Sequence, residues 1–441
     1  MPGRIIVTAK IMCKSPLRIG SGENENTDAD IILNSKNEPF IPATAFTGVL
    51  YREFLRYGHR DIADKFWGAN NEEQSKFICE DLTLTGSSKI SIRDNTAIDN
   101  KTGRTLTGAK FDGEVIEPGS FFRLHMEIEG VDDEAKAFAL ISKTILSEKG
   151  IALGAKTANG FGKIFIDSIS FCKLDFSKKE DIILWLTSDF SRKDNLTSKS
   201  VVSLKQPVNE LFIHADFGIK TSLLIKNYYD PFLNENDIDS VHLKSNNTNI
   251  LSGSSVKGAL RGRSERIIHT LGLEPGILTD LFGDVEKDKN GKPKKNGKAL
   301  PARLFIDETF ISGVSEEVQH RIKIDRFSGG TIEGALFDSI PLFPKRTDAT
   351  HDVNFRITIR VEKAKDDDLG LLLLLLKDLG TGDLPLGGEK NIGRGVLSGK
   401  KIKIDYKGRT FQFNTPEELE GEQIKVLDTY VKSLINNKRK Y

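Results

Sequence analysis

A chain of 441 residues with 64 basic and 63 acidic side chains carries a formal net charge of +1, so no global field draws it to nucleic acid or membrane and any basic site has to be local. Its three cysteines, Cys13, Cys79 and Cys172, lack metal-ligand spacing, which excludes a zinc ribbon or a disulfide scaffold and fits a reducing cytoplasm. The length predicts two domains with extensions. There is no signal-like apolar block, and the apolar run 369–376 is too short to span a bilayer, so the expectation is a cytoplasmic protein that touches no membrane.

Residues 4–12 alternate like a half-buried strand and end in the glycine turn SPLRIGSG. ENENTDADIILN then places Asp28 and Asp30 before an apolar run. Two carboxylates two residues apart in an extended chain point the same way, so they either share a cation or substrate or form a solvated acidic loop. PFIPATAFTGVLYREFL, 39–55, reads as a strand end, a turn and an amphipathic helix capped by Thr44. Gly48 sits inside that helix, where a glycine calls for close packing or a close ligand. Residues 89–130 read as strand, long polar turn and strand, 132–148 as the second helix, and 161–171 as the closing strand. This order predicts a ferredoxin-like fold with an insertion after the first helix.

A charged connector follows, and the pattern restarts with a strand at 210–226 and a helix at 252–271. A long turn spans 322–338; then come a strand at 354–362, a very apolar helix at 366–379 and a closing strand at 396–405. A polar run leads to a terminal helix at 415–436. The predicted domains are therefore 1–175, a linker 176–208, 209–405, and an extension 406–441. The lysine-rich insertion 284–301 is either solubilising surface or a phosphate contact.

Landmarks repeat in order between the halves. Gly48-Val49-Leu50 answers Gly258-Ala259-Leu260, Phe66-Trp67-Gly68 answers Leu281-Phe282-Gly283, and Gly108-Ala109-Lys110-Phe111-Asp112 answers Gly334-Ala335-Leu336-Phe337-Asp338. The offset only widens along the chain, as duplication followed by loop insertion produces. The last pair is a glycine loop: LGAKTANGFGKI, with Lys156, Gly160, Gly162 and Lys163, matches LGGEKNIGRGVL, with Lys390, Asn391, Gly393, Arg394 and Gly395.

Such a loop either makes a tight turn or cradles an anion with its backbone amides. The second helix start adds Ser254, Ser255, Lys257 and Arg261, donors of the kind an anion seeks at a helix N-terminus. Two tandem sites on one chain suit a phosphodiester backbone better than a single nucleotide. A dinucleotide fold is disfavoured, because each loop here follows a helix and opens a strand.

PLRIGSG, TDADIILN, PFIPATAFTGVLYREF, IRDNTAIDNKTGRTLTGAKFDGEVIEPG and LGAKTANGFGK resemble, in order, motifs of the RAMP superfamily, specifically backbone subunits of type III (Csm- and Cmr-like) CRISPR effector complexes. SGSSVKGALRGRSERI, IKIDRFSGGTIEGALFD and LGGEKNIGRG match again, so the chain looks like the tandem backbone subunit of a type III-D-like complex. The resemblance implies an α+β protein of two tandem ferredoxin-like (RRM-like) RAMP domains, with thumb β-hairpin insertions at 95–112 and 325–338 that prop a guide-target duplex open. It implies partners: the CRISPR guide RNA, complementary target RNA, and other RAMP-family and large-subunit proteins.

It also implies an endoribonuclease using Mg2+ or Mn2+, with Asp28, beside Asp30, as the catalytic and metal-holding carboxylate. In the second copy Ile238 and Ser240 stand at the matching offset, so either a one-residue shift puts Asp239 in that place, with Asp237 as its neighbour, or that site is dead. Thr47 and Tyr51 stand where the family usually has basic residues, as Lys257 and Arg261 do in the second copy, so the first copy is expected to grip RNA less firmly. Two alternatives stay open: a non-catalytic scaffold, and a metal-independent RNA-processing nuclease that uses a histidine.

Overall fold

The computed structural model describes residues 3–22, 30–68, 74–99, 105–197, 203–205, 207, 209–227, 238–285, 299–345, 353–414 and 421–436. The chain divides into two compact units. The first is Met1–Asn95, Phe111–Thr157 and Phe161–Pro207, and the second is Thr96–Lys110, Ala158–Gly160 and Val208–Tyr441.

The first unit is built from β1 (Arg4–Cys13), α1 (Ala43–Arg56), β2 (Leu82–Thr85), β3 (Phe121–Glu129), α2 (Asp133–Thr144) and β4 (Lys163–Leu174). The strands lie in the order β4, β1, β3, β2, all antiparallel, which is the ferredoxin-like arrangement. Alternation along β1 sends Ile5, Val7, Ala9, Ile11 and Cys13 to the helix-covered face. The repeated landmark Phe66-Trp67 is part of that core: Phe66 stacks on Phe138 of α2 at 4.5 Å, and Trp67 meets Phe77 edge-on at 4.8 Å.

Two local expectations are corrected. The sheet's second strand is Leu82–Thr85, which pairs Phe121–Arg123, whereas Ile90–Ile92 pairs Glu114–Ile116 in a separate ribbon. Helix α1 is not capped by Thr44, which lies within its first turn. The N-cap position is Pro42, and the amide of Ala43 donates instead to Asp81 Oδ1 at 2.7 Å.

The stretch read as a connector carries a helix, Lys179–Leu186. Its Leu184 and Trp185, with Phe176 and Phe190, pack on Ile6, Cys172 and Leu174, covering part of the sheet's outer face. Arg192 ties it down through Asp181 at 2.6 Å and Asp194 at 3.3 Å.

The second unit repeats the plan with β5 (Leu211–Ile219), α3 (Gly253–Leu271), β6 (Leu304–Ile306), β7 (Phe355–Val361), α4 (Asp366–Thr381) and β8 (Leu397–Tyr406). The strand order is β8, β5, β7, β6, again antiparallel. The polar run after 405 contains one more strand, β9 (Arg409–Phe413), added beside β8, with Phe411 and Phe413 turned inward. A last helix, α5 (Gly421–Asn436), packs on α4.

Both predicted thumbs fall on hairpins, but the second starts earlier than 325–338, because Gln319–Ile324 is its first strand. The first joins Asn95–Ile98 to Thr105–Phe111; residues 100–104 lie outside the described residues. The second joins Gln319–Ile324 to Thr331–Ile340. Asp325 folds its tip, accepting from the amide of Phe327 at 3.0 Å and the hydroxyl of Ser328 at 2.9 Å, and leaves the Phe327 ring fully exposed. Most of the insertion 284–301 lies outside the described residues. Among the described residues no helix is long and apolar enough to cross a membrane.

Candidate nucleic-acid interface

The two glycine loops are one structure built twice. In the first, the Leu153 amide donates to Gly162 O, Gly162 donates to Pro16 O and Ala155 to Arg18 O. In the second, Leu386 donates to Gly395 O, Gly395 to Ser222 O and Gly388 to Leu224 O. Each loop is thereby stitched to the segment leaving the first strand of its own copy.

Gly162 and Gly395 are required for this closure. Both have positive φ, and a Cβ on either would stand 1.9 Å from the carbonyl oxygen of Leu153 or Leu386. Their part is to bring backbone to backbone, which leaves the apex of the second loop, Lys390–Ile392, exposed, while Thr157–Asn159 at the first is half-buried. Gly160 also takes positive φ, as does Gly393, beside which a Cβ would meet open space. Lys390 and Asn391 are exposed at the second apex, while Lys163 begins β4, its amide on Ser15 Oγ at 2.9 Å.

Cations crowd both loops. Lys156 is half-buried in a left-handed turn, its Nζ has no hydrogen-bond partner among the described residues, and it lies 4.4 Å from the Phe111 ring centroid. Burial, reinforced by nearby Arg18, pushes its ammonium down to about 8. In the second loop one carboxylate serves three cations: Glu389 meets Lys226 at 3.1 Å, Arg321 at 2.5 Å and Arg394 at 2.9 Å. Arg394 is buried and also reaches Gln319 at 2.7 Å and Ser339 at 3.2 Å, both at the base of the thumb. Arg394 Nη1 and Arg321 Nε are buried without a hydrogen-bond partner among the described residues. Sequence reasoning missed Glu389, Arg321 and Lys226, which meet only through the fold.

Three basic residues of α3, Lys257, Arg261 and Arg263, are engaged within the chain, while Arg266 is exposed. Lys257 donates to Leu304 O at 3.0 Å, and burial followed by Arg261 lowers its ammonium to about 8. Arg261 donates to Gly283 O at 3.0 Å, and Arg263 pairs with Asp378 at 2.7 Å. Ser252, not Ser254, caps the helix; it accepts from the amide of Ser255 and donates to that residue's hydroxyl at 2.8 Å, with Ser254 beside them. What α3 does leave open is the exposed Gly258, and α1 leaves Gly48: a Cβ at either would meet nothing within 4 Å. Packing among the described residues therefore explains neither glycine.

Asp28 and Asp237 lie outside the described residues. Asp30 is buried in a short strand opposite Gly22. Asp239 is exposed and sits at the root of the second thumb, its Oδ2 accepting from the amide of Asp338 at 2.8 Å, just before Ser240 pairs in parallel with Ser339. Across the hairpin the Asp338 carboxylate meets His320 Nδ1 at 2.8 Å. The fold thus gathers Asp239, Asp338 and His320, and His320 is a group the sequence did not single out. Among the described residues no cluster of three or more His, Cys, Asp or Glu forms a metal cage. One carboxylate with a free oxygen fits Mg2+ or Mn2+ only where substrate phosphates complete the shell.

A family model described as the RAMP superfamily matches residues 10–165 and 210–398. The chain is similar to a solved structure titled "Cryo-EM structure of the Type III-B Cmr-beta bound to cognate target RNA", with 18% identity over 39% of this chain and 61% of that one, at a TM-score of 0.33. It is also similar to "Type III-B Cmr-beta Cryo-EM structure of the Apo state", with 14% identity over 36% of this chain and 96% of that one, at a TM-score of 0.33. No curated protein matches the sequence.

Proposed function

The chain belongs to the RAMP superfamily, and from that premise we propose that it is an RNA-binding backbone subunit of a type III CRISPR effector complex that cuts guide-complementary RNA. The observation that carries the RNA-binding part is the surplus of cation at both loops. Among the described residues Lys156 has no hydrogen-bond partner, and Lys226, Arg321 and Arg394 share the carboxylate of Glu389. Phosphate oxygens supply the acceptors such groups lack. Gly48 and Gly258 fit the same reading, since a helix glycine that packs on nothing costs about 1 kcal/mol relative to alanine and lets a backbone approach. Gly48→Ala and Gly258→Ala are therefore expected to raise the melting temperature and to weaken guide RNA binding. Binding unchanged in both would remove the helices from the interface.

For cleavage, Asp28 and Asp239 each take the proton of the 2′-hydroxyl beside the scissile phosphate. The 2′-oxygen bonds to phosphorus, the bond to the 5′-oxygen breaks, and that oxygen picks up a proton from water, leaving a 2′,3′-cyclic phosphate and a 5′-hydroxyl. A bound Mg2+ or Mn2+, held by Asp28 or Asp239 with the RNA, supplies charge neutralisation at the phosphate. The test is cleavage of a guide-complementary RNA by the reconstituted complex, comparing wild type with Asp28→Ala, Asp239→Ala and the double variant. One set of products is expected to vanish per variant while RNA binding holds; products that all survive in the double variant make the chain a scaffold.

A second reading rests on the pairing of His320 with Asp338. With Nδ1–H donated to the carboxylate, Nε2 is left as a base that needs no metal. Cleavage that persists in EDTA and is lost in His320→Ala selects it.

A further inference from the structure

The outer face of the first sheet is half covered by the connector helix, and the other half is an open groove of about 280 Å³. Hydroxyls of Thr8, Ser168 and Ser170 and the cations Lys10, Arg123 and Lys193 line it. Lys10 and Arg123 stand directly opposite each other on β1 and β3. Like charges across an antiparallel pair repel. Lys10 makes a long ion pair with Asp167, at 3.8 Å, and its ammonium lies 3.8 Å from the Phe121 ring centroid. The head groups of Arg123 and Lys193 have no hydrogen-bond or ion-pair partner among the described residues.

The duplication provides an internal control. In the second unit Asp216 occupies the place of Lys10: it lies opposite Arg356 on one side and Lys401 on the other, and the register shifts immediately after it, as it does after Lys10. There Arg356 grips Asp216 with two hydrogen bonds, at 2.6 and 2.9 Å. One copy thus closes this position with an internal ion pair. The other leaves two facing cations and a set of hydroxyls, the side-chain types that bind phosphate and sugar.

We propose that this groove seats the sugar-phosphate backbone of a single-stranded RNA segment, at a place separate from the glycine loops. Naming RNA as the polyanion rests on the function proposed above; the anionic character of the occupant rests on the facing cations alone.

The experiment uses the full-length chain and a short fluorescent oligouridylate, followed by anisotropy across a salt series, for wild type, Lys10→Asp, Arg123→Gln, a loop variant Lys156→Ala/Lys390→Ala, and the loop variant combined with Lys10→Asp. Lys10→Asp recreates the ion pair of the second unit, so it is expected to raise the melting temperature while weakening binding. Its salt slope should fall by about 0.7 for each phosphate that is no longer neutralised. Arg123→Gln should weaken binding without the gain in stability. The same weakening is expected when Lys10→Asp is placed on the loop variant, since the groove and the loops bind separately. A higher melting temperature with unchanged affinity and slope would overturn the proposal and leave the facing cations as plain repulsion. Wild-type chain that ignores the oligonucleotide but binds polyglutamate in a Lys10-dependent way would replace RNA with an acidic protein segment. Target cleavage by the Asp28 and Asp239 variants is read separately, so either idea can fail alone.

Discussion

Replacing Glu389 with alanine is expected to destabilise the second unit by about 3 kcal/mol, because it strands charges that the fold has already desolvated. Arg394 is 3% exposed and Glu389 is its ion-pair partner, shared with Arg321 and Lys226. The same carboxylate staples the glycine loop to the thumb, since Arg321 lies on the hairpin strand and Arg394 also reaches Gln319 and Ser339. Burial alone would raise the Glu389 carboxyl; the hydrogen bonds from Arg321 and Lys226 outweigh it and hold the group below the usual glutamate range.

A depressed carboxylate contributes stability that is present above the unfolded value and lost as pH falls through the folded one. The gap between wild type and Glu389→Ala should therefore be full at neutral pH and close in acid. Urea melts across pH measure it. Glu389→Ala/Arg394→Met, which removes both partners, should recover most of the loss; no recovery would mean that the staple is not an ion-pair effect.

How far the sequence foretold the molecule depends on the range of the interaction. Alternation in β1, the helical spacing of α1 and α3, and the ordered landmarks were all local, and they led to the duplicated ferredoxin-like plan. Pairing choice was not local. Leu82–Thr85 and Ile90–Ile92 look equally strand-like, and only the register with Phe121–Arg123 decides which joins the sheet. The Thr44 cap failed similarly, because the acceptor at the helix start comes from Asp81, far along the chain. The polar look of 406–414 hid β9, since alternate residues of an edge strand face water and only Phe411 and Phe413 declare the inner side.

At the candidate site the glycine spacing was legible, but its meaning was divided. Gly162 and Gly395 close the loops, whereas Gly48 and Gly258 have no neighbour among the described residues to require them. Lys257, Arg261 and Arg394 were legible as cations, yet their bonds to Leu304, Gly283 and Gln319 depend on distant segments. The grouping of Asp239 with Asp338 and His320 likewise needs the hairpin to fold back to the start of its own copy.

Ending the chain at residue 420 is expected to unfold the second unit or leave it aggregating, while the first unit keeps its own core. The reason lies in α4, whose run LGLLLLLL is apolar on more faces than a sheet can cover. Its counterpart α2, DEAKAFALISKT, mixes charged residues into its sequence. In the second unit α5 covers the extra face, burying Leu427, Tyr430 and Leu434. Gly370 is what admits it: a Cβ there would stand 2.3 Å from the Tyr430 carbonyl oxygen. Ser433 adds a 2.6 Å hydrogen bond to Asp367, and Tyr430 meets the Tyr406 ring edge-on at 5.8 Å.

Burying three such side chains contributes roughly 5 kcal/mol, a figure on the scale of a domain's whole stability. Leu434→Ala should cost about 3 kcal/mol by itself and serves as the milder variant if the truncation yields no soluble protein. Hydrogen exchange resolves the two units in one experiment. Fast exchange in β5, β7 and β8 with β1 and β3 still protected is the expected pattern. Protection of β5 unchanged in Leu434→Ala would show that α4 holds its place on the sheet without the cover.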